Sequence, residues 1–171
     1  MKTSRAPAAD PTKILTRREL AAVLFDLKAK SVRSKNARLN LIVFRLACCC
    51  GLRATEIAKL QMADVAAWRA VRANVGPTDP FVASDQPGRE AKVFSRHTLR
   101  KRFRTACKLL GPERLESLTI HHGRHTFISH ALAGGRTLAE VRDAVGHGNV
   151  SITSGYLHVA VDNDSVGILF D

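Results

Sequence analysis

The chain has 171 residues, 45% of them hydrophobic and 25% charged, which is enough for one domain with a real core. Its formal net charge of +12 points to a polyanionic partner, nucleic acid foremost, and away from acidic or neutral carrier proteins. No apolar run is long enough to span a bilayer, and the opening MKTSRAPAADPTKILTRREL holds no segment suited to a secretory signal, so no membrane partner and a cytoplasmic location are expected.

Residues 1–13, rich in Ala, Pro and charge, predict a flexible arm. Thr16-Arg17-Arg18-Glu19 then has the spacing of a capping box, and Leu20, Val23, Leu24 and Leu27 follow at helical spacing. After a basic link, a second helix is predicted from about Lys35 to Cys50. It is apolar nearly all round, through Leu39, Leu41, Ile42, Val43, Phe44 and Leu46, and such a helix belongs at the centre of a fold. Gly51 stops it. Cys48, Cys49 and Cys50 are consecutive, which suits neither a zinc site nor a disulfide framework, and they read as small core residues.

A short helix over ATEIAKLQ comes next, then a helix around ADVAAWRAV. Residues 74–90 hold three prolines and two glycines and predict a loop, with a short strand at Phe81-Val82-Ala83. Ser95 caps a helix reaching Leu110, closed by Gly111-Pro112. Its apolar face is Leu99, Phe103, Ala106 and Leu110, and Arg96, Arg100, Arg104 and Lys108 form a basic stripe four apart beside it. A helix follows from near His121 to Ala133, ended by Gly134-Gly135. Thr137-Leu138-Ala139-Glu140 is a second capping box, opening a helix that stops at Gly146. Ser151 caps a last short helix that carries Tyr156. Strand signals are few, so the domain is expected to be mainly α.

The chemistry concentrates in two stretches. In HHGRHTF, His121, Arg124 and His125 lie at i, i+3 and i+4, on one helical face. An arginine fork beside imidazoles suits a phosphate: it gives two parallel hydrogen bonds and keeps its charge at every physiological pH. In GHGNVSITSGY, His147 stands at a helix end and the single tyrosine, Tyr156, nine residues later. His121 and His125 as a metal pair would lack the glutamate of H-E-x-x-H and carry Arg124 between them, so no metal is expected. No glycine-rich loop for a nucleotide is present either.

The order H-x-x-R-H-T-F, then G-H, then Y resembles the tyrosine recombinase (phage integrase) family. CGLRATEIAKLQMADV, Cys50 to Val65, is similar to that family's G-L-R-x-x-E-x-x-x-L motif, and Thr16 to Leu20 resembles the start of its catalytic domain. The resemblance covers roughly residues 14–160 and implies a catalytic domain there, with a tail over 161–171. It implies Arg53, His121, Arg124, His147 and Tyr156 as catalytic residues, Glu56 as the acid orienting Arg53, and His125 as structural support. It implies a site-specific recombinase that cleaves and rejoins double-stranded DNA through a 3′-phosphotyrosine, with His121 as the base for Tyr156. No cofactor is implied. Self-assembly on DNA as a dimer or tetramer is, and the apolar tail residues Val159, Val161, Val166, Ile168, Leu169 and Phe170 suit either docking on a neighbour or packing on their own core.

The sequence departs from the family pattern in three ways. The family takes its leaving-group proton from a lysine on a β-hairpin, but the sixteen residues between Asp64 and Phe81 contain no lysine and no alternating pattern. Lys59 and Lys92 do not match the motif. The catalytic pattern begins by about residue 14, which leaves no room for an N-terminal clamp domain. Gly123 stands where leucine is usual, at an expected helix cost of about 1 kcal/mol. A DNA-binding remnant of such an integrase, impaired in turnover, is the alternative reading, and a small helical regulator a more distant one.

Overall fold

In the computed structural model, the described residues are 10–64, 78–84 and 92–157. Eight α-helices run through them: α1 Arg17–Ser31, α2 Lys35–Cys48, α3 Ala54–Lys59, α4 Arg96–Ala106, α5 Pro112–Ser117, α6 Ile120–Ala133, α7 Leu138–Val145 and α8 Val150–Ser154. Among the described residues, β pairing is limited to two isolated antiparallel bridges, Gln61 with Pro80 and Ala83 with Val93. The mainly α expectation stands, and the strand at Phe81 to Ala83 is reduced to a bridge at its last residue.

The helix starts follow their capping residues. Thr16 accepts from the Glu19 N–H while Glu19 accepts from the Thr16 N–H, the reciprocal capping box read in the sequence. Thr137 and Glu140 do the same for α7. Ser34 and Ser95 cap α2 and α4 through Ala37 and Thr98. Gly146 closes α7 at φ 62°, in the left-handed region.

Three features differ from expectation. The helix from Ser95 ends at Ala106, with a tight 3-10 turn completing the run to Leu110. The short α5, opened by Pro112 at its first turn, carries no periodic signal of its own. Asn149, not Ser151, caps α8, because its side chain reaches the Ser151 N–H first, so Tyr156 falls in the turn just beyond the helix. The helix expected around ADVAAWRAV, the tail after Leu157 and most of residues 1–13 lie outside the described residues.

Helix α2 is the axis. Ala37, Leu41, Val43, Phe44, Ala47 and Cys48 are buried, and the helix packs against α1, α4 and α6. Phe44 stacks on Phe103 of α4 with ring centroids 5.8 Å apart. At α6 the approach is tightest: a Cβ on Gly123 would sit 2.8 Å from the Ala47 Cβ. Gly123 is therefore required for contact between the helices, beyond any cost to α6 itself. A second, smaller core gathers Ile128, Ala131, Val141, Val145 and Tyr156, from α6, α7 and the turn after α8. Of the three adjacent cysteines, Cys48 is buried and Cys49 half-buried, but Cys50 is exposed, because the helix ends before it. All four cysteines are free, and burial pushes the Cys107 thiol up to about 12.

Candidate active site

The site forms where the two cores meet. Arg124 lies on the inner face of α6 and is only 5% exposed. Its guanidinium donates to the Gly51 carbonyl at 2.8 Å, just beyond the C-terminus of α2, and to the Val145 carbonyl at the C-terminus of α7. The Val145 carbonyl belongs to the electronegative end of α7, so a helix dipole adds to the two hydrogen bonds that hold the buried cation. Glu56 adds a carboxylate oxygen 3.6 Å away. Burial lowers the Arg124 pKa and the charge of Arg53 lowers it further, while Glu56 and Tyr156 oppose that. Arginine remains charged nonetheless.

Arg53 precedes α3, and Glu56 sits one turn on. The carboxylate accepts from the Arg53 backbone N–H and from its guanidinium, each at 2.7 Å. This is the glutamate half of a capping box, the arginine having no acceptor to complete it, so one glutamate starts the helix and aims the arginine together. Arg53 is partly exposed, leaving its remaining donors toward solvent. Gly51, two residues earlier, has φ 67° and lies so close to Phe127 that a Cβ would meet its ring at 2.5 Å. Only glycine lets the chain turn there and present its carbonyl to Arg124.

His147 follows Gly146, and its Nδ1 pairs with the buried Thr153 hydroxyl at 2.9 Å. Burial, then the charges of Arg124 and Arg53, lower its pKa, so it is neutral at pH 7. Tyr156 is 8% exposed. Its hydroxyl is hydrogen-bonded to Nδ1 of His125, and the two rings stack with centroids 5.4 Å apart. Burial raises the phenol's pKa, and Arg124 pulls it back. Burial, with the charges of His122, His121, Lys13 and Arg124, lowers His125 to about 4.

Arg53 and Glu56 at the start of α3, His147 after α7 and Tyr156 after α8 thus gather around Arg124 and interact with its charge. His125 joins them through the phenol. His121 is exposed on the first turn of α6, and the imidazole touching Tyr156 is that of His125. Arg96, Arg100, Arg104 and Lys108 are all exposed along α4 and the turn after it. Among the described residues no cluster of His, Cys, Asp or Glu is arranged to hold a metal ion. Residues 65–77, where a hairpin lysine would fall, lie outside the described residues.

Three contributors escaped sequence reasoning. The Gly51 and Val145 carbonyls were illegible, since backbone acceptors carry no residue signature. Thr153 as the His147 partner had only its spacing to mark it. Gly123 as the contact point was read as a loss, although the small pair Ala47-Cys48 on the facing helix is its signal.

The fold and the site define a helical domain with a preorganised arginine pair beside a buried tyrosine. Comparison with known proteins shows what the chain is similar to. The Phage integrase family model matches residues 81–163. Tyrosine recombinase XerC of Herpetosiphon aurantiacus is 44% identical over 48 residues, 28% of this chain and 16% of that protein. Tyrosine recombinase XerD of Haemophilus ducreyi is 36% identical over 74 residues, 43% of this chain and 25% of that protein. Tyrosine recombinase XerC of Pseudomonas fluorescens is 30% identical over 93 residues, 54% and 29% respectively. The chain therefore spans less than a third of these curated relatives. A crystal structure of XerA recombinase superposes with a TM-score of 0.65 at 19% identity, over 92% of this chain and 61% of that one, a likeness of fold. Over residues 81–163 the chain is thus similar to the Phage integrase family, it is similar in part to proteins named tyrosine recombinases, and it shares the fold of XerA recombinase.

Proposed function

We propose that this chain is a site-specific DNA recombinase that cleaves and rejoins strands through Tyr156. The observation that carries the reading is that Arg53 (through Glu56), His147 and Tyr156, from positions far apart in the chain, gather around the buried Arg124. Tyr156 attacks a backbone phosphorus, the phenol oxygen–phosphorus bond forms, and the bond to the 5′-oxygen breaks to leave a 3′-phosphotyrosine. The ester conserves the bond energy, so the displaced 5′-hydroxyl can later reverse the step. Negative charge grows on the non-bridging oxygens during attack. Arg124, already locked on two carbonyls and Glu56, needs no reorganisation to receive it, and Arg53 adds a second fork. His147, neutral and fixed by Thr153, supplies a further hydrogen bond.

Double-stranded DNA is the partner in this reading. The exposed stripe of Arg96, Arg100, Arg104 and Lys108 suits its phosphates, and the net charge of +12 supplies the attraction. Residues 14–160 are the catalytic unit, and assembly of two or four copies on DNA goes with it. Likeness to proteins named as tyrosine recombinases supports the reading.

The test is covalent trapping. A pool of random-sequence duplexes, nicked so that the 5′ fragment diffuses away after cleavage, is incubated with the full chain and resolved on denaturing gels. A protein–DNA adduct is expected from the wild type and none from Tyr156→Phe. Salt-sensitive DNA binding by both proteins, with adduct from neither, would favour the non-cleaving remnant.

A further inference from the structure

We propose that His125 is the catalytic base that takes the proton from Tyr156 as the phenol attacks phosphorus, a role that rests on reading Tyr156 as the nucleophile. A base must lie within one hydrogen bond of the proton it removes. His125 Nδ1 meets the phenol oxygen directly, and the stacked rings, 28° apart in plane, hold that contact in register. The His122 ring also lies near, with its centroid 5.7 Å from that of His125. His121 is exposed one turn earlier.

The chemistry assigns the hydrogen. A buried, protonated phenol donates, so the neutral imidazole accepts at Nδ1 and carries its own hydrogen on Nε2. The titratable and charged groups acting on His125 are His122, His121, Lys13 and Arg124, and with half-burial they keep it uncharged at rest. A weak resting base beside a protonated phenol leaves the tyrosine inert until a substrate arrives. Two changes then favour transfer. Bonding to phosphorus makes the phenol proton acidic, and the anionic phosphodiester stabilises the imidazolium. In balance, the phenol O–H bond breaks and its proton moves to the Nδ1 lone pair. The phenol oxygen–phosphorus bond forms, and the bond to the 5′-oxygen breaks. The electron pair leaves on the 5′-oxygen, which is protonated by water. Religation runs this backwards, and the imidazolium returns the proton to Tyr156.

Two measurements on the full chain test this. Long-range nitrogen–proton NMR correlation on the free protein should show His125 with hydrogen on Nε2 and an unprotonated, hydrogen-bonded Nδ1; hydrogen on Nδ1 would overturn the proposal. The trapping assay is then run from pH 5 to 9 on the nicked pool, with both the ordinary linkage and a 5′-bridging phosphorothiolate, whose sulfur leaves without a proton. His125→Gln should slow adduct formation by about 10²–10⁴ equally on both linkages and leave a residual rate that climbs with pH as the phenol itself ionises, whereas His121→Gln should keep the wild-type pH profile. Adduct from His125→Gln at the wild-type rate, or a defect repaired by the phosphorothiolate, would overturn the role. Failure of the wild type itself to form adduct at any pH is a different result, which removes the nucleophile reading and this one with it. Circular dichroism verifies folding, and His125→Asn replaces His125→Gln if the latter unfolds.

Discussion

The two halves of the site rest on unequal foundations. The arginine half is anchored in the larger core. Arg124 projects from α6 where that helix presses on α2, and Arg53 is fixed by a glutamate at the start of α3, whose Ile57 is buried. The tyrosine half rests on the smaller core, where Tyr156 itself is one of five buried members and α8 is only five residues long. A helix that short has no stability of its own and depends on tertiary contacts. In the proposed reaction the arginines that must stay still during charge development are thus held by the larger core. Tyr156, which would change partners between imidazole and phosphorus, is held by the part with the lower cost of opening.

The largest expected effect separates those foundations directly. Phe103 is fully buried and stacked on Phe44 in the larger core, and Phe103→Ala should destabilise the whole domain by about 3–5 kcal/mol in urea unfolding. Val145 is buried in the smaller core, and Val145→Ala removes two methyl groups' worth of surface, about 1–2 kcal/mol. Hydrogen exchange distinguishes them further. Phe103→Ala should raise exchange throughout α2 and α4, whereas Val145→Ala should raise it in α7 and α8 and leave α2 protected. Equal loss of protection everywhere after Val145→Ala would mean that the two cores unfold as one.

A second effect probes the joint between them. Gly123→Ala would gain about 1 kcal/mol of helix propensity. Its Cβ would, however, stand 2.8 Å from the Ala47 Cβ and 3.1 Å from the Cys48 Sγ, so α6 must back away from α2. Overpacking of this kind costs about 1–3 kcal/mol, which outweighs the propensity gain. A net destabilisation of about 1–2 kcal/mol is expected, with a slower adduct rate, because the same shift drags Arg124 from the Gly51 carbonyl. Ala47→Gly in the same chain should recover part of the adduct rate. A stabilised Gly123→Ala with unchanged adduct formation would show that the close approach matters to neither.

How much of this was legible beforehand follows from where the information lies. Capping boxes are local, and Thr16 with Glu19 and Thr137 with Glu140 formed as read. The α2 pattern, apolar nearly all round, fixed its central place because no exposed face could accommodate it. The family pattern located Arg53, Arg124, His147 and Tyr156, which do approach one another. The sequence reading expected His121 to serve the phenol, whereas the imidazole that meets it is that of His125. His121 and His125 share a helical face, and the choice is made by how Tyr156 turns after α8, a tertiary outcome. The end of α8 itself was misjudged because Asn149 and Ser151 are both good caps, and the earlier one captured the N–H.

The smallest effect concerns the acid that ties the halves together. Glu56 accepts from Arg53 and lies 3.6 Å from Arg124, the residue that in turn holds Val145 in the smaller core. Burial alone would raise its pKa, but the Arg53 backbone and guanidinium hydrogen bonds, with the charges of Arg53 and Arg124, hold the carboxyl below its ordinary 4.5. The folded state therefore binds that proton less readily than the unfolded chain. The resulting stability is fully present above pH 4.5 and is lost as pH falls through the lower folded value. More than a third of the side chain is exposed, so screening limits the effect to under about 1 kcal/mol. Glu56→Gln should be slightly less stable than wild type at pH 7, and the gap should close in acid as the wild-type carboxyl protonates. Its adduct rate should fall more than its stability, since Arg53 loses its aim while the fold keeps both cores. A gap that persists unchanged to pH 2 would mean that the carboxylate charge contributes nothing, and that Glu56 acts by shape and neutral hydrogen bonding alone.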